Sequence, residues 1–245
     1  MPEDLAREGS VEPVLKRVDA WWSVLAIDPL AVRLVGLLRR FDGVTPTAVT
    51  VVAHLLGFVT AAMFLAGWLV PAALLFELRF VLDCADGKLA RVQGTSSAAG
   101  AYLDYVGDYV VVAANVVGLA LYLAWEDRIP LAIAVALPAA FLAHIAAGQA
   151  RESEAASSGG GDVAPRERLP EGYRAWMADR RLRPLPSRIE AEHALLFATP
   201  LVAGAFDAWG PLIVVVWFCT GYFAYRALRI TAGGYRIAAR RDRTA

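Results

Sequence analysis

The chain has 245 residues, 58% of them hydrophobic and 20% charged, and its 24 basic residues balance its 24 acidic residues. A net charge of zero argues against a nucleic-acid-binding protein, which carries a basic excess, and the apolar content excludes a disordered chain. The hydrophobic share exceeds that of a typical soluble domain, and long uncharged stretches separate the charged clusters. The composition therefore predicts an all-α polytopic membrane protein.

Residues 1–45 are predicted to form a cytoplasmic N-terminal segment that ends in a juxtamembrane helix. Residues 1–20 are polar, Asp28 is placed to cap a helix, and Pro29 suits a first turn. Apolar residues from Leu30 onward then gather on one side, opposite several arginines. This pattern indicates an amphipathic helix on the membrane surface, and an ordinary soluble helix is the alternative.

Residues 46–232 are predicted to form a catalytic domain of six transmembrane helices. The stretch from Thr45 to Phe76 has no Lys, Arg, Asp or Glu. One span needs about 20 residues, so this stretch predicts a helical hairpin broken near Gly67–Pro71. The six helices are expected at 46–69, 71–92, 97–125, 129–150, 190–208 and 211–232. A polar loop, 151–188, joins the fourth and fifth helices, and 233–245 form a basic tail.

The basic residues also predict the orientation of the chain. All but two of them, Arg79 and Arg128, lie in the N-terminal segment, in the last turns of helix two, after helix four or near the C-terminus. Positively charged segments stay in the cytoplasm. We therefore expect a multi-pass protein of the cell membrane with both termini, and the charged half of helix two, facing the cytoplasm.

Four aspartates stand out because ionisable groups within membrane helices are costly and mark functional sites. Asp83 and Asp86 lie three residues apart at the cytoplasmic end of helix two, and Asp104 and Asp108 lie four apart on helix three. Each pair shares a helix face. Since the two helices are adjacent and antiparallel, all four carboxylates are predicted to converge at one depth.

Converging carboxylates repel one another unless a cation holds them. An oxygen-only ligand set, without a convergent His or Cys, suits Mg²⁺, Mn²⁺ or Ca²⁺ rather than zinc. Four carboxylates exceed the needs of one ion, which favours a two-metal site. Arg91 follows one turn after Gly87 and is suited to bind phosphate oxygens. The pattern predicts a phosphate or diphosphate substrate.

These residues resemble the signature of the CDP-alcohol phosphotransferase family. The chain reads Asp83-x-x-Asp86-Gly87-x-x-Ala90-Arg91-x8-Gly100-x3-Asp104-x3-Asp108, and the run Pro46-x-x-x-Thr50 is similar to the family's opening of helix one. The resemblance covers about 28–232 and leaves 1–27 and 151–186 without a match. It implies transfer of a substituted phosphate from a CDP-linked donor to an alcohol, with release of CMP.

The resemblance also implies roles for individual residues. Asp83, Asp86 and Asp104 would bind Mg²⁺ or Mn²⁺, with two ions expected, and Asp108 would complete the metal site or act as the catalytic base. The cytidine diphosphate pocket would comprise Pro46, Thr50, Gly87, Ala90, Arg91 and Gly100. The family further implies a homodimer in the lipid bilayer, with no nucleic-acid partner.

The donor and acceptor are narrower predictions. CDP-diacylglycerol is the expected donor, as in phospholipid biosynthesis. Among small polar acceptors we place inositol phosphate first, with glycerol phosphate and serine as alternatives. For the donor, another CDP-alcohol is the alternative. Arg151 and Arg188 bracket the loop 151–188 and are candidates to bind an anionic acceptor. The competing interpretation is that both belong to the ordinary cytoplasmic excess of positive charge.

Other polar residues receive structural interpretations. Glu77 and Arg79 are expected to pair with each other or to extend towards the interface, with contact to the acceptor as the alternative. Lys88 is expected to be solvated. His54, His144 and His193 are interpreted as packing or hydrogen-bonded residues. Glu190 and Glu192 are interpreted as acids at a helix N-terminus, with a role at the acceptor as the secondary alternative.

Two other classes of membrane protein with acidic sites fit the sequence less well. An intramembrane prenyltransferase would need more helices and lacks the joined motif. A cation transporter would commonly show an internal repeat, which is not visible in the sequence.

Overall fold

The computed structural model describes residues 15–41, 43–157 and 169–241, and these ranges are built from helices. An isolated β-bridge between Asp19 and Leu182 is the extended pairing within them. The elements are α1 (Asp28–Leu38, continuing from the π-helical turn Ser23–Ile27), α2 (Pro46–Leu65), α3 (Leu69–Gln93), α4 (Ala98–Trp125), α5 (Leu131–Ser157), α6 (Glu171–Asp179), α7 (Arg188–His193), the π-helical turn Ala194–Ala198, α8 (Thr199–Phe206) and α9 (Trp209–Arg241). The predicted all-α fold is confirmed.

Five helical stretches are long and apolar enough to cross a membrane: Pro46–Leu65, Ala98–Trp125, Leu131–Arg151, Arg188–Phe206 and Trp209–Arg236. Helix α3 has the length of a span, with 25 residues. Its second half carries the charged residues of the motif, which lower its hydropathy. The polytopic membrane fold is therefore confirmed, while the count of six spans stays a prediction.

The predicted hairpin of α2 and α3 forms where the sequence indicates. Thr45 caps α2 by accepting a hydrogen bond from the Ala48 amide at 3.2 Å, and Pro46 occupies the first turn. Gly67 adopts a left-handed φ of 76° between the two helices. A side chain there would also collide with the Tyr122 ring, 2.4 Å from an added Cβ. Glycine therefore permits the tight reversal.

Two hydrophobic clusters hold the helices together. The larger cluster contains residues from each of α2, α3, α4, α5, α8 and α9. It includes the fully buried Phe64, Phe141 and Phe223. The smaller cluster packs α1 against α3 through residues such as Val35 and Leu89. Helix α1 thus has a protein partner for one face, while Leu30 and Leu37 stay exposed on the other. This arrangement is consistent with the predicted amphipathic helix.

The prediction that Asp28 caps α1 is wrong. Helical backbone runs through this position from the preceding π-helical turn, and no side-chain cap is formed there. The Asp28 carboxylate instead binds two cations, Lys88 of α3 and Arg181 of the segment after α6. A helix that begins earlier than the sequence suggests leaves this carboxylate available for tertiary ion pairs.

The N-terminal segment and the second half of the loop 151–188 pack against each other. The Asp19 amide donates to the Arg181 carbonyl at 2.8 Å, and the Arg183 amide donates to the Asp19 carbonyl at 3.0 Å. The Trp21 indole donates to the Arg183 carbonyl at 2.6 Å. Within this assembly Met177 of α6 is 3% exposed. Residues 19–21 and 177–183 thus form one unit, called the cap below, beside α1 and α3. Neither part has a motif match.

Two helices run beyond their predicted ends. Helix α5 reaches Ser157, inside the predicted loop, and α9 reaches Arg241, beyond the predicted end at 232. Both extensions contain polar residues, which make the segment too polar to be predicted as a membrane span. Many of these residues still form helix readily. The proposed domain limits at 45, 150 and 232 stay predictions.

Candidate active site

A short turn between α3 and α4 brings the aspartate pairs together. Gly94 ends α3 in a left-handed conformation, with φ of 65°, and Ser97 caps α4 by accepting from the Gly100 amide at 3.0 Å. The chain reverses between these two residues. The C-terminal end of α3 therefore faces the first turns of α4, as the motif predicts.

Asp83 and Asp104 approach each other across the two helices, and a histidine joins them. One ligand atom from each of Asp83, Asp104 and His54 lies within 4.8 Å of the others. The Oδ1 atom of Asp104 and the Nε2 atom of His54 are buried and have no hydrogen-bond partner among the described residues. His54 therefore lies beside the aspartates, unlike in the predicted oxygen-only ligand set, and its interpretation as a packing or hydrogen-bonded residue stays a prediction.

Gly107 explains how His54 enters the site. An added Cβ at Gly107 would lie 2.0 Å from the Cε1 atom of His54. The ring therefore occupies the space beside α4 that any larger residue at Gly107 would fill. His54 lies four residues after Thr50, so the two side chains share one face of α2. This spacing is the signal in the sequence that places His54 on the side of the motif residue Thr50.

The Asp86 carboxylate is hydrogen-bonded to a side chain of α2. Its Oδ2 atom accepts a short hydrogen bond from the Thr50 hydroxyl, which also approaches the Pro46 carbonyl at 3.1 Å. Asp86 and Thr50 are 3% and 6% exposed. The two motif elements, which are 36 residues apart, thus meet in one buried contact.

Arg79 lies inside the carboxylate cluster. Its guanidinium is fully buried, and its Nη2 atom binds both Asp108 and Asp83, the latter at 3.2 Å. The prediction that Arg79 pairs with Glu77 or extends to the interface is wrong, because a buried guanidinium needs close carboxylates to offset desolvation. Position 79 is one helical turn before Asp83, which places both side chains on the same face of α3.

Arg188 reaches Asp108 from the opposite side. Its Nη2 atom lies 3.5 Å from Asp108 Oδ2, and its Nε atom lies 3.2 Å from Glu192. The guanidinium also stacks over the Tyr109 ring, 4.5 Å from its centre. A capping box of Ser187 and Glu190 starts α7 at this point and directs Arg188 towards α4.

The other predicted residues occupy distinct places. Gly87 and Ala90 lie half-buried on α3, and an added Cβ at Gly87 would be 3.7 Å from the Arg91 guanidinium. Gly100 lies half-buried in the first turn of α4, beside the exposed residues of the turn. Arg151 lies half-buried on α5, and its assignment to the acceptor stays a prediction.

Lys88 is not solvated, contrary to the prediction. It is 6% exposed, and its Nζ atom lies 2.9 Å from Asp28, which also binds Arg181 at 2.8 Å. Lys88 therefore ties the motif-bearing helix to α1 and to the cap. The sequence of α3 alone does not show this partner, because Asp28 lies 60 positions earlier in the chain.

The remaining histidines and Glu77 form structural contacts. His193 lies between aromatic rings, 4.4 Å from Phe80, with its Nδ1 atom 2.8 Å from the Ile189 carbonyl. Glu77 accepts from the Trp22 indole at 2.8 Å. His144 stacks on the Phe223 ring. The interpretation of His144 and His193 as packing residues is consistent with these contacts.

The residues present fit a divalent cation. Two unpartnered donor atoms, on Asp104 and His54, point into a cluster that contains a second carboxylate, Asp83. Carboxylate oxygens suit Mg²⁺ and Mn²⁺, and an imidazole nitrogen is compatible with Mn²⁺. Buried donor atoms without partners are costly, so their presence together favours a bound ion.

A sequence model of the CDP-alcohol phosphatidyltransferase family matches residues 43–168, which contain all four aspartates. The match covers half of the chain. The chain belongs to the CDP-alcohol phosphatidyltransferase family. The family resemblance of the motif is thereby confirmed.

One curated relative matches a shorter segment of this family member. The bifunctional IPC transferase and DIPP synthase of Thermococcus kodakarensis is 43% identical over 70 residues. That segment is 29% of this chain and 16% of the relative, so the match spans only a small part of the relative's length.

Solved structures share the fold. The phosphatidylinositol phosphate synthase of Mycobacterium tuberculosis with CDP-DAG bound aligns with a TM-score of 0.59 and 21% identity, over 86% of this chain and 94% of that chain. The same enzyme in complex with manganese and citrate aligns with a TM-score of 0.57 and 23% identity, over 84% and 88% of the respective chains. At these identities the alignments establish the architecture of the family member and no more.

Proposed function

We propose that this enzyme transfers the phosphatidyl group of CDP-diacylglycerol to inositol phosphate and releases CMP, at the cytoplasmic side of the cell membrane. The observation that carries the choice of acceptor is the position of Arg188 beside Asp108, at 3.5 Å. An arginine next to the proposed base suits an acceptor that bears a phosphate. Glycerol phosphate satisfies the same chemistry, whereas serine and free inositol do not.

The free donor of Arg188 supports an anionic acceptor. Its Nη1 atom is buried and has no hydrogen-bond partner among the described residues. Its other nitrogens are directed to Asp108 and Glu192, and Tyr109 supports the plane of the group. A guanidinium with a donor left over is suited to bind a phosphate oxygen. Arg151 is proposed as the second basic residue of this subsite.

The motif residues on α2, α3 and α4 are proposed to bind the cytidine diphosphate. Thr50 and Pro46 stand beside Asp86, and the small residues Gly87, Ala90 and Gly100 leave room for the nucleotide. Arg91 is proposed to bind diphosphate oxygens. The CDP-DAG complex of the mycobacterial synthase, which has the same fold, supports a lipid-linked donor.

The four aspartates are proposed to bind Mg²⁺ or Mn²⁺, and Asp83 and Asp104 each offer a ligand atom within 4.8 Å of the other. When bound, the cation neutralises the diphosphate and stabilises the departing CMP. The manganese complex of the mycobacterial synthase supports this choice of metal. Asp86 is oriented by Thr50 in this arrangement, and Arg79 and Arg188 orient Asp108.

Asp108 is proposed to act as the catalytic base. The acceptor hydroxyl attacks the β-phosphorus of the donor, its proton passes to Asp108, and the bond between the β-phosphorus and the bridging oxygen breaks to release CMP. The two guanidiniums beside Asp108 hold the carboxylate in one orientation during this step. We infer direct attack, since the matched motif positions contain no Ser, Cys or His to form a covalent intermediate.

The orientation and assembly of the enzyme follow from its charges and family. The distribution of positive charges supports a proposed orientation with both termini, the cap and the motif-bearing ends of α3 and α4 at the cytoplasmic face. The water-soluble acceptor would reach the site from this side, and the donor would enter from the bilayer. A homodimer is proposed from the family resemblance.

Release of CMP by the purified protein in liposomes tests the function. The assay supplies Mn²⁺ or Mg²⁺, CDP-diacylglycerol and one of inositol phosphate, glycerol phosphate, inositol or serine, with Asp108→Asn as the inactive control. Inositol phosphate should give the highest rate. A higher rate with glycerol phosphate would reassign the acceptor, and failure to bind any cytidine nucleotide would contradict the function itself.

A further inference from the structure

We propose that a cavity at the end of the helix bundle opposite the aspartates binds the headgroup of a zwitterionic phospholipid, with its ammonium group at Asp207 and its phosphate group at Arg128. Phosphatidylethanolamine has this headgroup chemistry. The inference concerns a second binding site and does not depend on the proposed catalytic function.

The position of the cavity separates it from the candidate active site. It has a volume of about 400 Å³ and lies at the turn between α2 and α3, beside the last turns of α4 and the turn between α8 and α9. Leu69, which starts α3, lines the cavity, whereas Asp83 lies 14 positions further along the same helix. At a rise of about 1.5 Å per residue, the two sites are roughly 20 Å apart along α3.

The cavity lies at the level where a bilayer presents its headgroups. Apolar spans end on this side of the bundle at Leu65 and Trp125, and another begins at Trp209. Trp68 and Trp125 are exposed at the same end. Tryptophan side chains concentrate at the interface between membrane and water. A phospholipid can therefore reach the cavity directly from the bilayer.

The walls of the cavity suit an organic cation on an aliphatic body. The rings of Tyr122 and Trp209 line it, with their centres 6.5 Å apart. Aromatic faces attract ammonium groups. Apolar residues form much of the remaining wall: Leu69, Val70, Pro71 and Ala203. The volume is in the range of small-molecule sites, which combine apolar walls with few polar groups.

Trp209 holds two opposite charges beside the cavity. Its indole nitrogen donates to Asp207 Oδ1 at 2.5 Å, and the Arg128 guanidinium carbon lies 4.1 Å from the centre of its ring. Among the residues that the structure describes, neither Asp207 nor Arg128 forms an ion pair. A ligand that carries both an ammonium and a phosphate would neutralise the two charges together.

The spacing of these charges fits a phosphoethanolamine headgroup. Its ammonium and phosphate are joined by a short ethylene link, so the two groups can meet charges that lie around one indole ring. Helices α3 and α9 also begin at the cavity, with Leu69 and Trp209. Helix N-termini favour phosphate over a cation. Asp207 is therefore the group that selects for an ammonium.

Native mass spectrometry of the purified protein in detergent, titrated with phosphatidylethanolamine or phosphatidylglycerol, tests the inference. Both lipids carry a phosphate, but only the first carries an ammonium. The wild-type protein should bind one phosphatidylethanolamine per chain, about tenfold more tightly than phosphatidylglycerol, as expected for one hydrogen bond between charged groups. Equal or tighter binding of phosphatidylglycerol would overturn the inference.

Two substitutions at exposed positions separate the roles of the charges. Asp207→Asn should make the two lipids bind equally, and Asn tolerates the left-handed backbone at this position, with φ of 53°. Arg128→Gln should weaken both lipids by roughly tenfold and keep the preference. Asp127→Asn is the matched control, since Asp127 has φ of 52° at the same end of the bundle but does not line the cavity.

The remaining outcomes locate the site and identify the source of the headgroup. A preference for phosphatidylethanolamine that survives Asp207→Asn, or that is lost equally in Asp127→Asn, would overturn the assignment of Asp207. Soluble glycerophosphoethanolamine should compete only weakly, because it lacks the acyl chains that hold a lipid in the bilayer. Competition at the same concentration as the lipid would show that the cavity takes a free zwitterion, and would overturn the assignment to a phospholipid.

Discussion

Lys88 and Asp28 form a buried ion pair, with 2.9 Å between the Nζ and Oδ1 atoms and side chains that are 7% exposed. The pair links α3, which carries half of the aspartate motif, to α1. Asp28 also binds Arg181 at 2.8 Å, so one carboxylate joins three separate parts of the chain. The motif-bearing helix α3 is therefore braced by α1 and by the segment that carries Arg181.

We expect Asp28→Asn to destabilise the protein by about 3–5 kcal/mol, because it leaves two cations, one of them buried, without a counter-charge. Thermal unfolding in detergent measures the effect. Asp127→Asn makes the same chemical change at an exposed left-handed position, which Asn tolerates, and should leave the melting temperature unchanged. Equal melting temperatures for Asp28→Asn and wild type would show that the brace contributes nothing.

Thr50→Val should lower the rate of CMP release by roughly 10–100-fold, the loss expected when a carboxylate loses a hydrogen bond worth about 1.5–3 kcal/mol. Valine keeps the shape of threonine but cannot donate to Asp86. Thr50→Ser retains the hydroxyl and should stay near the wild-type rate. Initial rates at saturating donor measure both variants, and an active valine variant would contradict the role of this contact.

Gly107→Ala should weaken Mn²⁺ binding by about 10–100-fold, a loss typical of disturbing the surroundings of a metal ligand. The added methyl group would meet the His54 ring at 2.0 Å and force it out of the cluster. Gly221→Ala is the matched control, since nothing lies within 4 Å of an added Cβ there. If His54→Gln is already present, the Gly107 substitution should have little further effect on Mn²⁺ affinity, and an additive loss would argue against this mechanism.

Arg188→Gln should reduce kcat/KM for inositol phosphate by roughly 10–100-fold, in line with the loss of a charge-assisted hydrogen bond. The KM for CDP-diacylglycerol should change little, because the residue approaches Asp108 from the side of α7. Arg180→Gln, on the exposed surface of the cap, serves as the control. A rise in the donor KM instead would assign Arg188 to the nucleotide pocket.

Removal of divalent metal should abolish CMP release. Treatment with a chelator followed by Mn²⁺ or Mg²⁺ should restore the activity of the wild type, whereas Asp83→Asn and Asp104→Asn should stay inactive because each removes a charged ligand from the site. Activity that survives complete chelation would exclude a catalytic metal.

The sequence alone was sufficient to predict the all-α membrane fold, the α2–α3 hairpin and the convergence of aspartates on α3 and α4. These features depend on local composition and on spacing within a helix, and both are readable without a tertiary structure. The eight-position motif, with its fixed spacing, was sufficient for the family. The helix ends were less accurate where polar residues continue a helix past the membrane, as at Ser157 and Arg241.

The tertiary structure alone decided which charges meet. The sequence does not show the partners of Arg79, His54 and Lys88. These partners lie on other helices, or one turn along a helix face that neighbouring elements cover. A charged group in a membrane helix must find a counter-charge, but the sequence does not say which one. Packing of α2 against α4 brings His54 to the aspartates, and packing of α1 against α3 brings Asp28 to Lys88. The π-helical turn Ala194–Ala198 packs against α3 and α4, and α7 directly before it brings Arg188 to Asp108.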